Sequence, residues 1–264
     1  MVEVVDAFGR AFSMPQPPER IVSLVPSLSQ TLFDFGLEDN VLGITRFCVH
    51  PAQWRKSKTK VGGTKDFDVD RIRALKPDFV LANLEENTRE GIEALAAEMP
   101  VFVSHIFSFE SALNALEAIG SVCGISETGA DWSLRIQKTW FPLQNLTNRK
   151  VLYLIWRKPY MTVGTDTYIH SVMKHLGFEN VCRLKRYPIL ESEDGLWREA
   201  EEVFLSSEPY PFSFKHLNEI QHLAPQARIW LVNGEAFSWY GTGMLKAAGY
   251  LDQLVHDLKR ASTV

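Results

Sequence analysis

Residues 19–36 of the chain read "ERIVSLVPSLSQTLFDFG" and join a strand pattern directly to a helix pattern. The first part is a short, β-branched apolar run of the kind found in buried strands. Leu28, Leu32 and Phe35 then recur at helical spacing, and Gly36 is a typical stop signal. The stretch therefore predicts a strand followed at once by a helix, the unit from which parallel α/β sheets are built.

The same alternation continues along the rest of the chain. Apolar runs predict further strands at residues 40–45, 78–83, 100–105, 150–156, 203–207 and 228–234. Helical patterns lie at residues 68–77, 87–98, 108–124, 167–176, 214–223 and 243–259. Between the two halves, residues 126–148 keep a helical pattern for longer than their neighbours, with Pro142 as a kink or stop.

These patterns predict an α/β fold made of two Rossmann-like lobes with parallel sheets, joined by one long helix. The predicted domains are an N-terminal lobe of residues 1–125, a connecting helix of residues 126–148 and a C-terminal lobe of residues 149–264. A chain of 264 residues is long enough for two lobes of ordinary size.

Composition excludes several classes of function. The chain is 45% hydrophobic with a formal net charge of −4, which gives no basic surface for nucleic acid or anionic lipid. Cys48, Cys123 and Cys182 are an odd number without CxxC spacing, so we expect buried thiols rather than a disulfide framework or a zinc knuckle. No run reaches the ~18 apolar residues of a membrane span, and we expect no membrane insertion, no nucleic-acid partner and a monomer.

If both sheets are parallel, a ligand lies at the carboxyl ends of their strands, where the loops meet. In the first lobe those positions are Pro26, Ser27, Phe47, His50, Thr64, Asn83 and His105. In the second lobe they are Trp156, Tyr160, Met161, Glu208, Tyr210, Glu235, Trp239 and Tyr240, an unusually aromatic set.

Two loops of the second lobe carry the strongest signal. In "FLSSEPYPF", residues 204–212, Pro209 and Pro211 restrict the backbone around Glu208 and Tyr210, which lowers the cost of ordering them for a ligand. The structural alternative is that Glu208 caps a helix or pairs with a cation. In "GEAFSWYGTG", residues 234–243, Trp239 and Tyr240 follow the last strand between glycines, and we expect both rings to be available for binding.

Three stretches resemble the helical-backbone receptor proteins of ABC importers, a family that includes vitamin B12- and iron-siderophore-binding proteins. They are "ERIVSLVPSLSQTLFDFG", "VGGTKDFDVDRIRALKPDFVLA" and "KPYMTVGTDTYIHSVMKHLGFENV". The resemblance implies capture of a corrinoid, a siderophore or haem in a cleft between two lobes, and is greatest to the vitamin B12-binding members.

The resemblance also implies roles for individual residues. Ligand-contacting aromatic positions of the family fall at Phe47, Met161 and Tyr187, and two tryptophan positions fall near Thr64 and at Asn83. The acids that dock on the membrane permease in this family fall at Asp70 and Glu193. The alternative for these two acids is a favourable place at the positive end of a helix dipole.

We therefore predict a substrate-binding protein of an ABC importer, without enzymatic activity or a required cofactor, whose ligand is cobalamin or a ferric siderophore. Its partners are then a small metal chelate and, if the chain is exported, an ABC permease. The start "MVEVVDAFGRAF" lacks a leader pattern, so the location is periplasmic or cell-surface if a leader was removed, and otherwise cytoplasmic.

Two other hypotheses stay open from the sequence. In the first, His50, His105, Glu208 and Glu235, one from each strand end, hold zinc or manganese directly. In the second, the chain is an intracellular relative with binding or chelatase-like activity. Enzymatic motifs such as GxGxxG after the first strand, GxxxxGK[ST], GxSxG and HExxH are all absent from the sequence.

Overall fold

Residues 19–36 form the predicted strand and helix in the computed structural model, which describes residues 4–261. The strand is Ile21–Ser23, with every residue buried, and the helix is Pro26–Asp34. Pro26 occupies the first turn of the helix, where a missing N–H costs no hydrogen bond. Gly36 follows the helix at φ +80, a left-handed conformation that glycine adopts without strain.

The chain divides into two compact units. The described residues of the first unit are 4–106, 110–137 and 240–244, and those of the second are 107–109, 138–239 and 245–261. Elements up to Trp140 are, in order, β1 Val4–Val5, β2 Ala11–Phe12, β3 Ile21–Ser23, α1 Pro26–Asp34, β4 Val41–Ile44, α2 Trp54–Ser57, β5 Thr59–Lys60, α3 Val69–Ala74, β6 Phe79–Asn83, α4 Arg89–Ala96, β7 Val101–Ser104, α5 Phe109–Val122 and α6 Ser126–Trp140.

The first unit contains a parallel sheet in the order β5-β4-β3-β6-β7, and β1 pairs with β2 in a separate antiparallel hairpin. Every residue of β6 is buried, which is why residues 79–82 are continuously apolar rather than alternating. One core cluster joins the sheet to the helices beside it: Val22, Leu24, Ile72, Val80, Ala82, Ile92, Leu95, Val101 and Val103.

Elements after Trp140 are a 3-10 turn at Phe141–Leu143, β8 Lys150–Trp156, β9 Tyr160–Thr162, α7 Tyr168–Leu176, β10 Glu179–Asn180, β11 Ile189–Leu190, α8 Leu196–Glu199, β12 Glu202–Ser206, a 3-10 turn at Phe214–His216, α9 Leu217–Leu223, β13 Arg228–Val232, α10 Gly234–Ser238 and α11 Met244–Arg260. The second sheet has the order β11-β9-β8-β12-β13, with β10 also beside β8. Its core includes Leu152, Leu154, Val203, Leu205, Trp197, Phe212 and Ile220.

The predicted fold class is confirmed, and the second sheet adds a feature that the sequence patterns did not predict. Strands β8, β10, β12 and β13 are parallel, whereas β9 pairs antiparallel with β8 and β11 pairs antiparallel with β9. Only residues 157–159 separate β8 from β9, and so short a connection permits only an antiparallel return. The edge of the second sheet is therefore made of antiparallel pairs rather than of another parallel pair.

The helix predicted over residues 126–148 is shorter in the structure. It ends at Trp140, and Pro142 then lies in the first turn of a 3-10 segment. Proline lacks the N–H that would continue the helix, so Pro142 acts as the stop that the sequence predicted. Among residues 4–261, no helix is both long enough and apolar enough to cross a membrane.

Candidate ligand-binding site

An exposed row of apolar side chains crosses three strands at the edge of the second sheet. Trp156 at the end of β8 is paired with Met161 of β9, which is paired with Ile189 of β11. Directly opposed residues in antiparallel strands point to the same face of a sheet. Trp156 is 40% exposed, Ile189 is 53% exposed and Met161 is partly exposed. We call Trp156, Met161 and Ile189 the apolar row.

Tyr210 extends the apolar row from the neighbouring strand end. Its ring meets that of Trp156 edge to face, with centroids 5.8 Å apart. The backbone N–H of Tyr210 donates to the Ile155 carbonyl at 3.3 Å, and its hydroxyl lies 3.2 Å from Nε2 of His216. The tyrosine is thus fixed at both ends, as the flanking prolines suggested.

A cation next to the apolar row was missed by the sequence analysis. The Arg157 guanidinium donates to both carboxylate oxygens of Glu219, with an Nη2 to Oε2 distance of 2.7 Å, and the Tyr160 hydroxyl donates to the same carboxylate. The hydrogen bonds from Arg157 are the main cause that holds the pKa of Glu219 below its usual range. No spacing rule connects residues 62 positions apart, so this pair was out of reach of local patterns.

Glu208 stands at the end of β12 with one carboxylate oxygen already engaged. Ser238 Oγ donates to Oε1 at 2.5 Å, and the indole Nε1 of Trp239 donates to the same oxygen at 3.0 Å. Burial raises the pKa of this carboxyl, and the charge of Glu235 raises it further. Within residues 4–261, Oε2 accepts no hydrogen bond and is not among the fully buried polar atoms.

The backbone beneath Glu208 is held by the neighbouring strand ends. Ser206 Oγ donates to the Glu208 carbonyl at 2.6 Å, and the Tyr153 hydroxyl donates to Ser206 Oγ at 3.2 Å. Gly234 packs directly against this loop, because a Cβ atom there would lie 2.5 Å from Cγ of Glu208. These described contacts of Glu208 are neither a helix cap nor an ion pair, which were its two structural alternatives.

In the first unit, Asn83 is used for structure. Its side chain is fully buried, donates to Ser104 Oγ at 3.1 Å and accepts from the N–H groups of Glu85 and Glu86. Asn87 in turn donates to the Leu24 and Thr64 carbonyls. These contacts tie the ends of β3, β6 and β7 to the loop at Thr64, so the structure favours a structural role for Asn83 and its ligand role stays a prediction.

The other predicted positions of the first unit are spread over several loops. Phe47 is the exposed aromatic among them: it is 50% exposed, and the guanidinium of Arg46 lies 5.0 Å from its ring centroid. Pro26 and Ser27 form the start of α1, with Ser27 only 5% exposed. His50 is partly exposed and His105 is exposed.

The two adjacent rings near the last strand have different environments. Trp239 is partly exposed and bound to Glu208, whereas Tyr240 is 5% exposed and belongs to the first unit. Gly241 and Thr242 beside it contact Thr31 of α1. The structure therefore buries the Tyr240 ring and leaves Trp239 partly exposed, and the ligand role of both stays a prediction.

Tyr187 lies partly exposed in the loop that leads into β11, with the Arg186 guanidinium 5.7 Å from its ring centroid. The Thr162 N–H donates to the Pro188 carbonyl at 3.0 Å, which anchors this loop beside β9. Tyr187 thus lies two residues before Ile189, which pairs with Met161 in the sheet. Glu235 is partly exposed in the first turn of α10 and acts electrostatically on Glu208.

The two acids assigned to permease docking are both on the surface. Asp70 is 88% exposed in the first turn of α3 and pairs with Arg73 at 2.7 Å. Glu193 is exposed in the loop before α8, and the Ser192 hydroxyl, which donates to it, lowers its pKa. The helix-dipole alternative fits Asp70, whereas Glu193 precedes its helix by more than one residue.

Direct metal binding has no support in this arrangement. Among residues 4–261, no group of three or more His, Cys, Asp or Glu side chains is arranged to hold a metal ion. His50 and His105 belong to the first unit, whereas Glu208 and Glu235 belong to the second. The alternative metal site proposed from these four residues is therefore not formed within either unit.

Polar and aromatic side chains at the carboxyl ends of parallel strands are a common setting for a ligand-binding site. A family model described as periplasmic binding protein matches residues 21–195. The chain belongs to this periplasmic binding protein family. Its relatives are binding proteins of ABC importers and not enzymes, and the chain has the two-lobe receptor fold.

Two curated relatives illustrate the family. A vitamin B12-binding protein of Vibrio parahaemolyticus is 26% identical over 198 residues, which are 72% of this chain and 72% of that protein. An uncharacterized ABC transporter substrate-binding lipoprotein of Bacillus subtilis, YvrC, is 30% identical over 195 residues, 69% of this chain and 61% of that protein.

Among solved structures, the apo form of the periplasmic heme-binding protein RhuT from Roseiflexus sp. RS-1 has a TM-score of 0.79 at 17% identity. The match covers 90% of this chain and 98% of that one. Siderophore-binding proteins share the fold as well. At this level of identity these structures establish the fold and leave the ligand open.

Proposed function

We propose that this protein is the substrate-binding component of an ABC importer and captures a metal chelate, namely a corrinoid, a ferric siderophore or haem, at the strand ends of the second unit. The observation that carries the proposal is the apolar row together with Tyr210. Exposed clusters of large apolar side chains on a soluble protein are characteristic of binding surfaces. A broad, flat chelate offers the matching apolar face.

Polar groups beside the row supply orientation. No described residue donates to Oε2 of Glu208, and Trp239 holds the carboxylate in place through its indole N–H. Rigid side chains lose little freedom when a ligand arrives, which improves affinity. The vitamin B12-binding name of the first relative supports a corrinoid as the first ligand to try.

The same proposal gives Asp70 and Glu193 the role of contacts to the permease. Both side chains are exposed and carry negative charge toward solvent. Exposed charges of this kind steer association with a basic partner more than they add to affinity. The substrate-binding name of the Bacillus relative supports such a partner.

A binding screen tests the proposal. The purified protein is heated with cyanocobalamin, cobinamide, haemin, ferric siderophores, or zinc and manganese salts, while its unfolding and the ligand's absorbance spectrum are recorded. A chelate at about 100 times its dissociation constant raises the free energy of unfolding by about 2.7 kcal/mol. Stabilisation by any of the chelates supports the proposal. Stabilisation by the bare metal salts alone, or by none of the compounds, contradicts it.

A further inference from the structure

We propose that Glu208 selects the ligand by accepting a hydrogen bond from an N–H group, so that amide-bearing chelates are preferred to chelates with anionic edges. The inference rests on the proposed function, because it assigns a specificity-determining residue to the same site. It goes further by naming the chemical class that this site accepts.

The first step concerns the direction in which Glu208 faces its ligand. Two protein donors, Ser238 Oγ and Trp239 Nε1, both bind Oε1. Because Oε1 is fully used, the remaining acceptor capacity is on Oε2, which no described residue occupies. An ionised carboxylate oxygen is an acceptor only, and charge-assisted bonds to it are stronger than neutral ones.

The second step concerns charge. The charged group that acts most on Glu208 is another carboxylate, Glu235, and the Tyr153 hydroxyl also interacts electrostatically with Glu208. Arg157 at the end of β8 is already paired with both oxygens of Glu219. An anionic ligand edge placed against Glu208 therefore meets like charge, whereas an N–H edge meets an acceptor.

The third step compares ligand chemistries. Corrinoids carry primary amides around the ring, so they present N–H donors. Haem carries carboxylates at one edge, and ferric catecholates present negatively charged oxygens. Of the three, the corrinoid edge complements Oε2 of Glu208, and the other two leave a carboxylate facing negative charge at a cost in desolvation.

The test is isothermal titration of the wild-type protein and the Glu208→Gln variant with cyanocobalamin, haemin and a ferric catecholate siderophore. In the variant, the amide oxygen still accepts from Ser238 and Trp239, which turns the NH₂ group toward the ligand. The variant thus loses the charged acceptor that faces the ligand N–H group, and we expect the affinity for cyanocobalamin to fall about tenfold or more. The affinity for haemin or the catecholate is expected to rise.

The control is Glu191→Gln, an exposed acid of the same unit outside the candidate site. It is expected to leave all three affinities unchanged, and equal thermal unfolding of the variants shows that they are folded. A wild-type protein that binds haemin or the catecholate more tightly than cyanocobalamin, or a Glu208→Gln variant with unchanged selectivity, overturns the inference while the proposed function stands. Failure of the wild type to bind any of the probes overturns both.

A pH series adds a second readout. Glu208, with Glu235 and Tyr153 around it, accepts best when ionised, so the affinity for cyanocobalamin is expected to weaken as acid protonates Glu208. The same weakening is expected to be lost in Glu208→Gln. A purely structural role for Glu208 predicts parallel pH profiles in the two proteins, and that result would count against the inference.

Discussion

Glu208 is the residue through which our proposal links the fold to ligand binding. The carboxyl sits where two strand-end loops meet, under hydrogen bonds from Ser238 and Trp239. Burial and the charge of Glu235 both favour the protonated form, and they outweigh these hydrogen bonds. A carboxyl whose surroundings destabilise its ionised form is typical of functional sites.

The raised pKa of Glu208 makes stability depend on pH. An ordinary glutamate loses its proton near pKa ~4.3 in the unfolded chain, whereas the folded chain holds it to higher pH. This contribution to stability is therefore complete below about pH 4 and is lost as the pH rises through the raised pKa. Glutamine does not ionise, so Glu208→Gln is expected to gain stability relative to wild type over that range.

The measurement is urea unfolding of wild type, Glu208→Gln and Glu191→Gln between about pH 4 and 8. The free-energy gap between Glu208→Gln and wild type is expected to grow by about 1.4 kcal/mol for each pH unit in which only the folded state holds the proton. Curves that stay parallel at every pH would show that Glu208 has an ordinary pKa.

Trp239 and Tyr240 show what a sequence cannot reveal about single residues. Both follow the last strand and both lie between glycines, so their local signals are the same. Their burial differs because Thr242, two residues on, donates to Asp34 of α1 at 2.6 Å and draws the chain into the first unit. Contacts across more than 200 positions in sequence decide this, and no periodic pattern records them.

At the scale of elements, the loop after β12 packs directly against the start of α10. The Gly234 N–H donates to Ser207 Oγ at 2.9 Å, and Asn233 caps α10 by accepting from the Glu235 N–H. The absence of a side chain at Gly234 lets these two loops meet. The position of Glu208 thus depends on a glycine in the neighbouring element.

Gly234→Ala is expected to disturb this contact. The added Cβ would lie 2.4 Å from Ser206 Oγ and 2.5 Å from Cγ of Glu208, so one loop must move. Overpacking of this kind costs about 1–3 kcal/mol in the free energy of unfolding. Chelate binding is expected to weaken as well, because Glu208 is displaced. Urea unfolding and calorimetry measure the two effects.

The matched control is Gly249→Ala in α11, where a Cβ meets nothing within 4 Å. Alanine in an exposed helix position is expected to stabilise the protein by about 0.5–1 kcal/mol. If Gly234→Ala were as stable as Gly249→Ala, the close packing between the two loops would be refuted.

The long elements were predictable from sequence and the short ones were not. Continuous apolar runs marked β6, β8 and β12, because strands buried on both faces have no polar alternation. Two-residue β11 and the three-residue β9 are too short to carry a period. Since the apolar row depends on these two strands, its geometry could not be predicted, although Trp156 and Met161 were both named.

At the scale of the whole molecule, the family was evident from three stretches of sequence, and the family match to residues 21–195 confirms it. The ligand is harder to predict because its contacts come from side chains on separate loops, whose relative positions only the fold sets. The periplasmic binding protein family supplies the role of a receptor for an ABC importer, and the strand-end residues of the second unit supply our proposal for its ligand.

The most direct measurement of the central claim is calorimetric titration of cyanocobalamin into wild type, Trp156→Ala and Phe141→Ala. Trp156 belongs to the apolar row, whereas Phe141 is a 68% exposed aromatic in the 3-10 turn after α6 and serves as the control. We predict that Trp156→Ala weakens binding by about 2 kcal/mol, roughly thirtyfold, with an unchanged fold, and that Phe141→Ala binds as wild type does. Equal affinity of Trp156→Ala and wild type would contradict the account, because the apolar row would then not be where the ligand binds.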